Sequence, residues 1–567
     1  MNSNEEINRV WLKSYDKDVS FQLNYENIPV FEYLDRAAEK YPDHWAIVFN
    51  NWKITYSGLR QTTERMAANL RFAGLNPGDR VAIMLPNTPQ AIMSYWAVLK
   101  AGGTVVMTNP LYMEKELVHH FNDSRAKFLI TLNLLWPRIE SLLDQLHLQK
   151  VFATSISDCL SFPLNVLYDL KAKKSKETPT LPFDEKTLIP WKKLLKKGEI
   201  FIKYSPSPQQ ELAALQYTGG TTGVSKGVML THYNLAANVQ QCLEILHSVG
   251  DERDTVLGIL PYFHIYGLTV CVNFSTAIGA TLAPFPRFVP HDILKSIQKL
   301  KPTIFPSAPA VFSALLQQKD IERFDISSIK YCISGSAPIP VETIERFKEL
   351  TGAEIIEGYG LTEASPITHL NPLNGERKYG SIGLPFPDTD ARIVDMEVGT
   401  VPLPPRKIGE LTLRGPQVMK GYWNRPDETA TALRNNWLYT GDIAYMDEQG
   451  YFYIVDRKKD MIISGGYNIY PREIDEVLHE HPKIREAVTV GVPNKTRGEI
   501  VKAFIVLEDG AELGKSEIIS FCRQKMAAYK IPKKIEFREE LPKTMVGKIL
   551  RRALREEEIK NTRSASE

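Results

Sequence analysis

Short apolar runs and longer amphipathic stretches follow one another along most of this chain, the pattern of strands separated by helices. Residues 79–85 (Asp-Arg-Val-Ala-Ile-Met-Leu) read as a strand that enters a loop holding Pro86 and Pro89. A helix through Trp96 to Lys100 follows, ended by Gly102 and Gly103, and residues 104–107 are a strand again. Upstream, residues 28–71 read as an entry helix, a strand and a second helix. The pattern resumes near Gln209 and runs to about Leu384, and residues 410–453 are rich in strands. A charged run at 455–460 breaks it, and a compact αβ region to about Phe537 and a basic tail follow. The expected fold is α/β. Residues 1–456 form a large N-terminal domain of several subdomains, with mixed and parallel sheets and a strand-rich part. Residues 457–567 form a small α+β C-terminal domain.

Two stretches depart from the alternation. Between Lys171 and Pro208, lysine-rich patches alternate with prolines, which predicts a surface excursion. Within it Lys192, Lys193, Lys196 and Lys197 lie on a short amphipathic segment, a candidate contact with anionic headgroups or a solvated helix. From Thr255 to Pro286 there is no charged side chain. Pro261, His264, Gly267, Asn273, Gly279 and Pro284 interrupt the stretch, so a buried loop and helix is expected rather than a membrane span.

Composition narrows the function classes. At 567 residues the chain exceeds one hydrophobic core, and its +2 net charge gives no field for nucleic acid. Five scattered cysteines without a CxxC pair argue against structural zinc and a disulfide framework and suit a reducing cytoplasm. The first residues are polar and acidic and lack the features of a signal peptide.

The chemistry concentrates in Tyr217-Thr218-Gly219-Gly220-Thr221-Thr222-Gly223-Val224-Ser225-Lys226-Gly227. Glycines open positive φ, so successive N–H groups can turn toward one anion; threonines add hydroxyl donors and Lys226 a point charge. This is a phosphate cradle but not a Walker A loop, which needs Gly before the Lys and Ser or Thr after it. Apolar runs on both sides favour a held loop over a flexible linker.

Three further segments suit a nucleotide. Residues 331–338 read as a strand ending in Gly335, Ser336 and Ala337, small enough for a flat ring to approach the backbone. Residues 355–363 repeat that layout through Glu357, Gly358, Tyr359 and Thr362, but Glu363 stands where a GxGxxG fingerprint needs its third glycine. Beside a phosphate cradle Glu363 suits Mg²⁺; alone it could be a surface carboxylate. Asp442, read as the end of a strand, could accept from ribose hydroxyls or cap a turn. The basic loop at 542–551 is chemistry or a solvated charge run.

Together these segments resemble the acyl-adenylate-forming enzymes, the superfamily of acyl-CoA synthetases, luciferases and peptide-synthetase adenylation domains. The resemblance spans essentially the whole chain, adding residues 261–267, 439–442, 456–460 and 542–548 to the cradle and to residues 358–363. Within the superfamily the chain is most similar to bacterial long-chain fatty acid–CoA ligases, on residues 215–227, 357–366, 415–423 and 456–471.

The resemblance implies that a fatty carboxylate attacks ATP to give an acyl-adenylate, whose acyl group then passes to CoA. Lys548 would stabilise the first transition state, and Mg²⁺ would sit on Glu363 and Thr218. Lys226 and the loop of Gly219, Gly220, Thr221, Thr222 and Gly223 would hold phosphates. Gly335, Ser336, Ala337 and Tyr359, flanked by Glu357 and Gly358, would border adenine, Thr362 the α-phosphate, and Asp442 with Arg457 the ribose. His264 would act where acyl chain meets carboxylate, with Tyr262, Phe263, Tyr266 and Gly267 lining the substrate. The C-terminal domain would rotate about Lys459 and bring Gly465 and Gly466 to the pantetheine.

Departures limit the carry-over. Ile463 stands where some relatives carry a second-step lysine, Ile265-Tyr266-Gly267-Leu268 offers no Trp gate, and Phe263-His264 offers no Asp for an amino acid's amine. An aryl-acid CoA ligase, or an adenylating enzyme serving another acceptor, stays open. So does a non-catalytic acyl or nucleotide sensor, although Lys548, Glu363 and Lys226 are all retained. Peripheral contact with an anionic membrane and a homodimer are further expectations.

Overall fold

The structure, a computed structural model, describes residues 9–175, 179–184, 186–198, 200–218, 225–249, 253–464, 467–494, 496–543 and 549–564. The chain divides into two compact units, Met1–Asp390 with Arg414–Leu438, and Ala391–Leu413 with Tyr439–Glu567. The boundary expected from the sequence falls elsewhere, after Asp456.

One sheet of the first unit has eight strands, in the order Gly421–Tyr422, Lys226–Thr231, Leu212–Thr218, Thr104–Met107, Arg80–Met84, Phe128–Leu132, Lys150–Thr154 and Leu188–Pro190. Its centre is parallel, with Val81 beside Val105 and Phe128, and Val105 beside Ala214. Both faces of these strands are covered, which is why they are continuously apolar rather than alternating. Leu212–Thr218 and Lys226–Thr231 run antiparallel with Thr218 opposite Lys226. The two ends of the Gly/Thr segment therefore leave and re-enter the sheet side by side.

The other sheet has nine strands, in the order Leu384–Pro385, Ile367–Leu370, Ile355–Gly360, Tyr331–Ser334, Ile304–Ser307, Thr255–Gly258, Thr281–Pro284, Trp45–Phe49 and Trp52–Thr55. Parallel registry places Ser307 beside Ser334 and Ser334 beside Glu357. Helices Pro290–Leu300, Pro309–Leu316 and Val341–Thr351 cover one face with Ile293, Ile297, Phe312, Ile344 and Phe347 packed on Phe305. Those buried positions recur three and four residues apart, the helical period.

Several sequence expectations shift. The helix read through Trp96 begins at Pro89, because the Thr88 hydroxyl accepts from the Ala91 N–H and proline suits a helix's first turn. The single strand expected before the second helix is a hairpin, Trp45–Phe49 with Trp52–Thr55, turning at Asn50 with φ of 54°. The stretch from 171 to 208 is only partly a surface excursion. Leu188–Pro190 is an edge strand paired with Lys150–Thr154, and Trp191 and Leu194 of the following 3₁₀ turn are buried. A solvated helix over 190–197 is thereby corrected: the apolar pair anchors it. The uncharged stretch from 255 is two strands around a buried π-helical segment, Gly267–Phe274. Among the described residues no helix is long and apolar enough to cross a membrane.

In the second unit Ile484–Asn494 and Gly498–Leu507 run antiparallel, with Ile462–Ser464, Tyr467–Ile469 and Lys534–Phe537 completing the sheet. Period two splits its faces. Val501, Ala503 and Ile505 meet Ile474, Leu478 and Ile518 of the helices on one side. Phe504 and Val506 meet Leu554 of helix Arg551–Ser564 on the other. All five cysteines are buried free thiols. Burial pushes Cys242 up to about 12 and Cys522 to about 11.

Candidate active site

In open α/β sheets ligands collect at the carboxyl ends of the strands. Here Tyr331–Ser334 and Ile355–Gly360 end side by side, so the turn of Gly335, Ser336 and Ala337 lies next to Glu357, Gly358 and Tyr359. Ser336 has φ of 75°, a left-handed turn made at the strand's end. Tyr266 stands under this turn: its hydroxyl donates to the Ile333 carbonyl at 3.2 Å, and a Cβ on Gly335 would lie 3.2 Å from its ring. Gly360 allows the chain to pass Pro366, whose carbonyl oxygen would be 2.2 Å from an added Cβ.

The segment 261–267 reaches the same place. The Nδ1 of His264 accepts from the Tyr266 N–H at 3.2 Å, which puts the proton of a neutral ring on Nε2. The side-chain amide of Gln216, two residues before Thr218, donates to the Phe263 carbonyl and ties this segment to the cradle's strand. Tyr262 is packed inward at 1 % exposure, against Gly258. Gly267 is equally buried, with the Pro261 carbonyl 2.3 Å from where a Cβ would stand.

Around the cradle the described residues Thr218 and Lys226 are cross-strand neighbours. Lys226 Nζ lies 5.2 Å from the centre of the Tyr422 ring and 4.0 Å from a Glu428 carboxylate oxygen. The Tyr422 hydroxyl donates to Glu363 Oε1 at 2.8 Å, and the Glu363 carbonyl accepts from the Met419 N–H at 2.8 Å. Burial, reinforced by Glu363, raises the Tyr422 phenol above its ordinary range, so it stays a donor. Thr362, buried, opens the short 3₁₀ turn that carries Glu363. A lysine, a phenol and a carboxylate thus converge beside the cradle's exit.

Helix Glu114–Ser124 holds the two described flanks of the Gly/Thr segment, Tyr217 and Ser225. His119 Nε2 donates to the Ser225 carbonyl at 2.9 Å, and Asp123 accepts from the Tyr217 hydroxyl at 2.7 Å. The Asp123 carbonyl also accepts from the Trp423 indole at 3.0 Å, while the Trp423 N–H donates to the Gly227 carbonyl at 2.7 Å. Sequence reasoning missed Tyr422, His119 and Asp123 as site residues. Tyr422 sits in a stretch singled out only for its likeness, and the helix carries no signal beyond amphipathic spacing.

In the second unit Asp442 is not at a strand end but inside Trp437–Met446, opposite Arg457 on Phe452–Arg457. The Arg457 Nε lies 3.1 Å from the buried Asp442 carboxylate. The strand continues because Gly441, at φ of 71°, and a bulge after Ile443 bend it without ending it. Lys459 lies two residues beyond Arg457; burial and then Arg457 pull its ammonium below its ordinary value. Lys548, Gly219, Gly220, Thr221, Thr222, Gly223, Gly465 and Gly466 lie outside the described residues.

Comparison with known proteins gives this arrangement a family. A family model described as AMP-binding enzyme matches residues 34–423, and one described as AMP-binding enzyme C-terminal domain matches residues 473–548. A long-chain-fatty-acid–CoA ligase of Bacillus subtilis (strain 168) is 48 % identical over 554 residues, covering 97 % of this chain and 98 % of its own. ATP-bound MatB from Rhodopseudomonas palustris superposes with a TM-score of 0.79 at 30 % identity, covering 94 % of this chain and 99 % of its own. The anthranilate CoA ligase AuaEII in complex with anthranoyl-AMP gives 0.82 at 26 % identity, over 95 % and 99 %. Motifs, sheet ends and both family matches agree: the chain belongs to the AMP-binding enzymes.

Proposed function

We infer that this protein is an ATP-dependent, AMP-forming ligase joining long-chain fatty acids to CoA. The similarity to a long-chain-fatty-acid–CoA ligase, almost end to end at 48 % identity, carries the reading. In the first step a carboxylate oxygen attacks the α-phosphorus of ATP, the bond to the β-phosphate oxygen breaks, and diphosphate leaves. In the second the CoA sulfur attacks the acyl carbon, its proton is released, and AMP leaves with the carbon–oxygen bond electrons.

The first step brings two anions together, so positive charge and N–H donors must be in place beforehand. Lys226, with Thr218 and the loop Gly219–Gly223, would hold the phosphates. Thr362 would meet the α-phosphate, and Gly335, Ser336, Ala337 and Tyr359, beside Glu357 and Gly358, would frame adenine. Asp442 and Arg457 would hold the ribose. Tyr262, Phe263, Tyr266 and Gly267 would shape the acyl site, with His264 at the carboxylate. Lys548 would lie on the developing charge.

The residues suit Mg²⁺. Glu363 is an oxygen donor steadied by Tyr422, and Thr218 adds a hydroxyl. Among the described residues no group of three or more His, Cys, Asp or Glu could hold a metal unaided. One carboxylate with phosphate oxygens is the set Mg²⁺ favours, and the ion would neutralise phosphate charge. The division into 1–456 and 457–567 would serve the second step, with rotation about Lys459 withdrawing Lys548 and presenting Gly465 and Gly466 to the pantetheine.

The test is AMP formation from ATP with a panel of carboxylic acids, each with and without CoA. CoA-dependent turnover that rises with alkyl chain length is expected. Turnover with aryl acids alone would overturn the substrate, and AMP from no acid would favour a sensor. Lys548→Ala should lower acyl-adenylate formation by about a thousandfold while largely sparing thioester formation from supplied acyl-adenylate. Equal loss of both steps would remove its assigned role.

A further inference from the structure

Helix Leu164–Ser175 faces the opposite way from an ordinary surface helix. Its half-buried positions, Asn165, Tyr168 and Ala172, recur three and four residues apart and mark the side toward the protein. The opposite side carries Val166, Leu167 and Leu170, the last two 56 % and 59 % exposed, and Phe162 just before the helix is 80 % exposed. Exposed Lys171 and Lys173 flank this apolar stripe, and exposed Lys174 continues it one turn beyond Leu170. Globular helices turn such a stripe inward.

The face is built rather than frayed. Asn51 grips its entry, donating to the Ser161 carbonyl at 2.9 Å and accepting from the Ser161 N–H at 3.0 Å. The 3₁₀ turn Ile156–Cys159 just before it is tied by Asp158 to Lys192 at 2.8 Å. That contact brings the second basic patch, with exposed Lys196 and Lys197, to the foot of the same helix. Charge along the helix is three lysines against Asp169.

We propose that this face docks on an anionic lipid surface. Phe162, Leu167 and Leu170 enter the boundary between headgroups and acyl chains, and the lysines meet headgroup phosphates. A second copy of the chain is a poor occupant, because a two-fold contact would set the same lysines against themselves. The choice of lipid rests in part on the proposed fatty-acid substrate, which partitions into bilayers, so the face would bring the enzyme to its substrate.

The experiment is flotation of the full-length protein with vesicles of phosphatidylcholine, with and without phosphatidylglycerol. Binding to the anionic vesicles alone, weakened by salt, is expected. Leu167→Ser with Leu170→Ser should lower partitioning about tenfold, and Lys171→Gln with Lys173→Gln and Lys174→Gln about a hundredfold. AMP formation from octanoate, which needs no bilayer, should be unchanged in both variants, showing that they fold. Equal flotation of the variants, or none by the unaltered protein, would overturn the proposal. So would a dimer that the leucine substitutions convert to monomer, which would assign the face to a second copy. Flotation that responds to the substitutions without AMP from any acid would keep the docking face and remove the proposed function.

Discussion

At the scale of single residues the site depends on contacts that hold a charged group at a fixed angle. Tyr422 does this for Glu363, and its own ring lies beside Lys226. Tyr422→Phe keeps the ring and removes only the hydroxyl. A hydrogen bond to a charged group contributes about 1.5–3 kcal/mol, so Mg²⁺-dependent turnover at low Mg²⁺ should fall about tenfold. A Mg²⁺ titration checks this: the half-saturating concentration should rise with little change in melting temperature, and an unchanged titration would show that the hydroxyl does not orient the carboxylate. Glu363, Lys226 and Gly335 stand out as candidates from the chain alone, through their residue types and neighbours. Tyr422 does not, since only the pairing of Gly421 with Met229 and Tyr422 with Val228 carries it to Glu363.

At the scale of elements, helix Glu114–Ser124 holds the flanks of the Gly/Thr segment, His119 at Ser225 and Asp123 at Tyr217, with the Trp423 indole on the Asp123 carbonyl. Asp123→Ala leaves the largely buried Tyr217 hydroxyl without its acceptor, which should cost about 1–3 kcal/mol of stability. Because Tyr217 adjoins Thr218, KM for ATP should rise while KM for CoA holds, and Asp123→Asn, still an acceptor, should restore most of the loss. A uniform fall in kcat with both KM values intact would make the contact merely structural. The strands and most helices were legible from apolar runs and caps. The edge strand Leu188–Pro190 was hidden among lysines and prolines, because an edge strand of three residues has no period to read and its identity comes from Val151 alongside Leu188.

At the scale of the molecule, burial couples the first unit to pH. His120, His232 and His369 are fully enclosed, and desolvation lowers each to about 3. The unfolded chain therefore binds protons near 6.5 that the folded unit refuses. This contribution to stability is fully present above about pH 6.5 and is lost as pH falls toward 3. Between pH 7.5 and 5.5 the three together should cost the first unit about 4 kcal/mol, measured by urea unfolding at the two values. A flat stability over that range would show that the rings accept protons in place. The fold class and the alternation of strands and helices were legible from the chain alone. What the sequence could not show is which distant segments share a sheet edge, since the pairing of Gly421–Tyr422 with Lys226–Thr231 spans nearly two hundred intervening residues. The enclosure of all five cysteines has a practical consequence at this scale. A maleimide dye should find no thiol on the native surface, so exposed Gln298→Cys and Ser516→Cys, one in each unit, would be the only labelled positions. Energy transfer between two dyes at those positions could then follow the enzyme through a turnover, with ATP and acid added first and CoA second, without removing a single native cysteine.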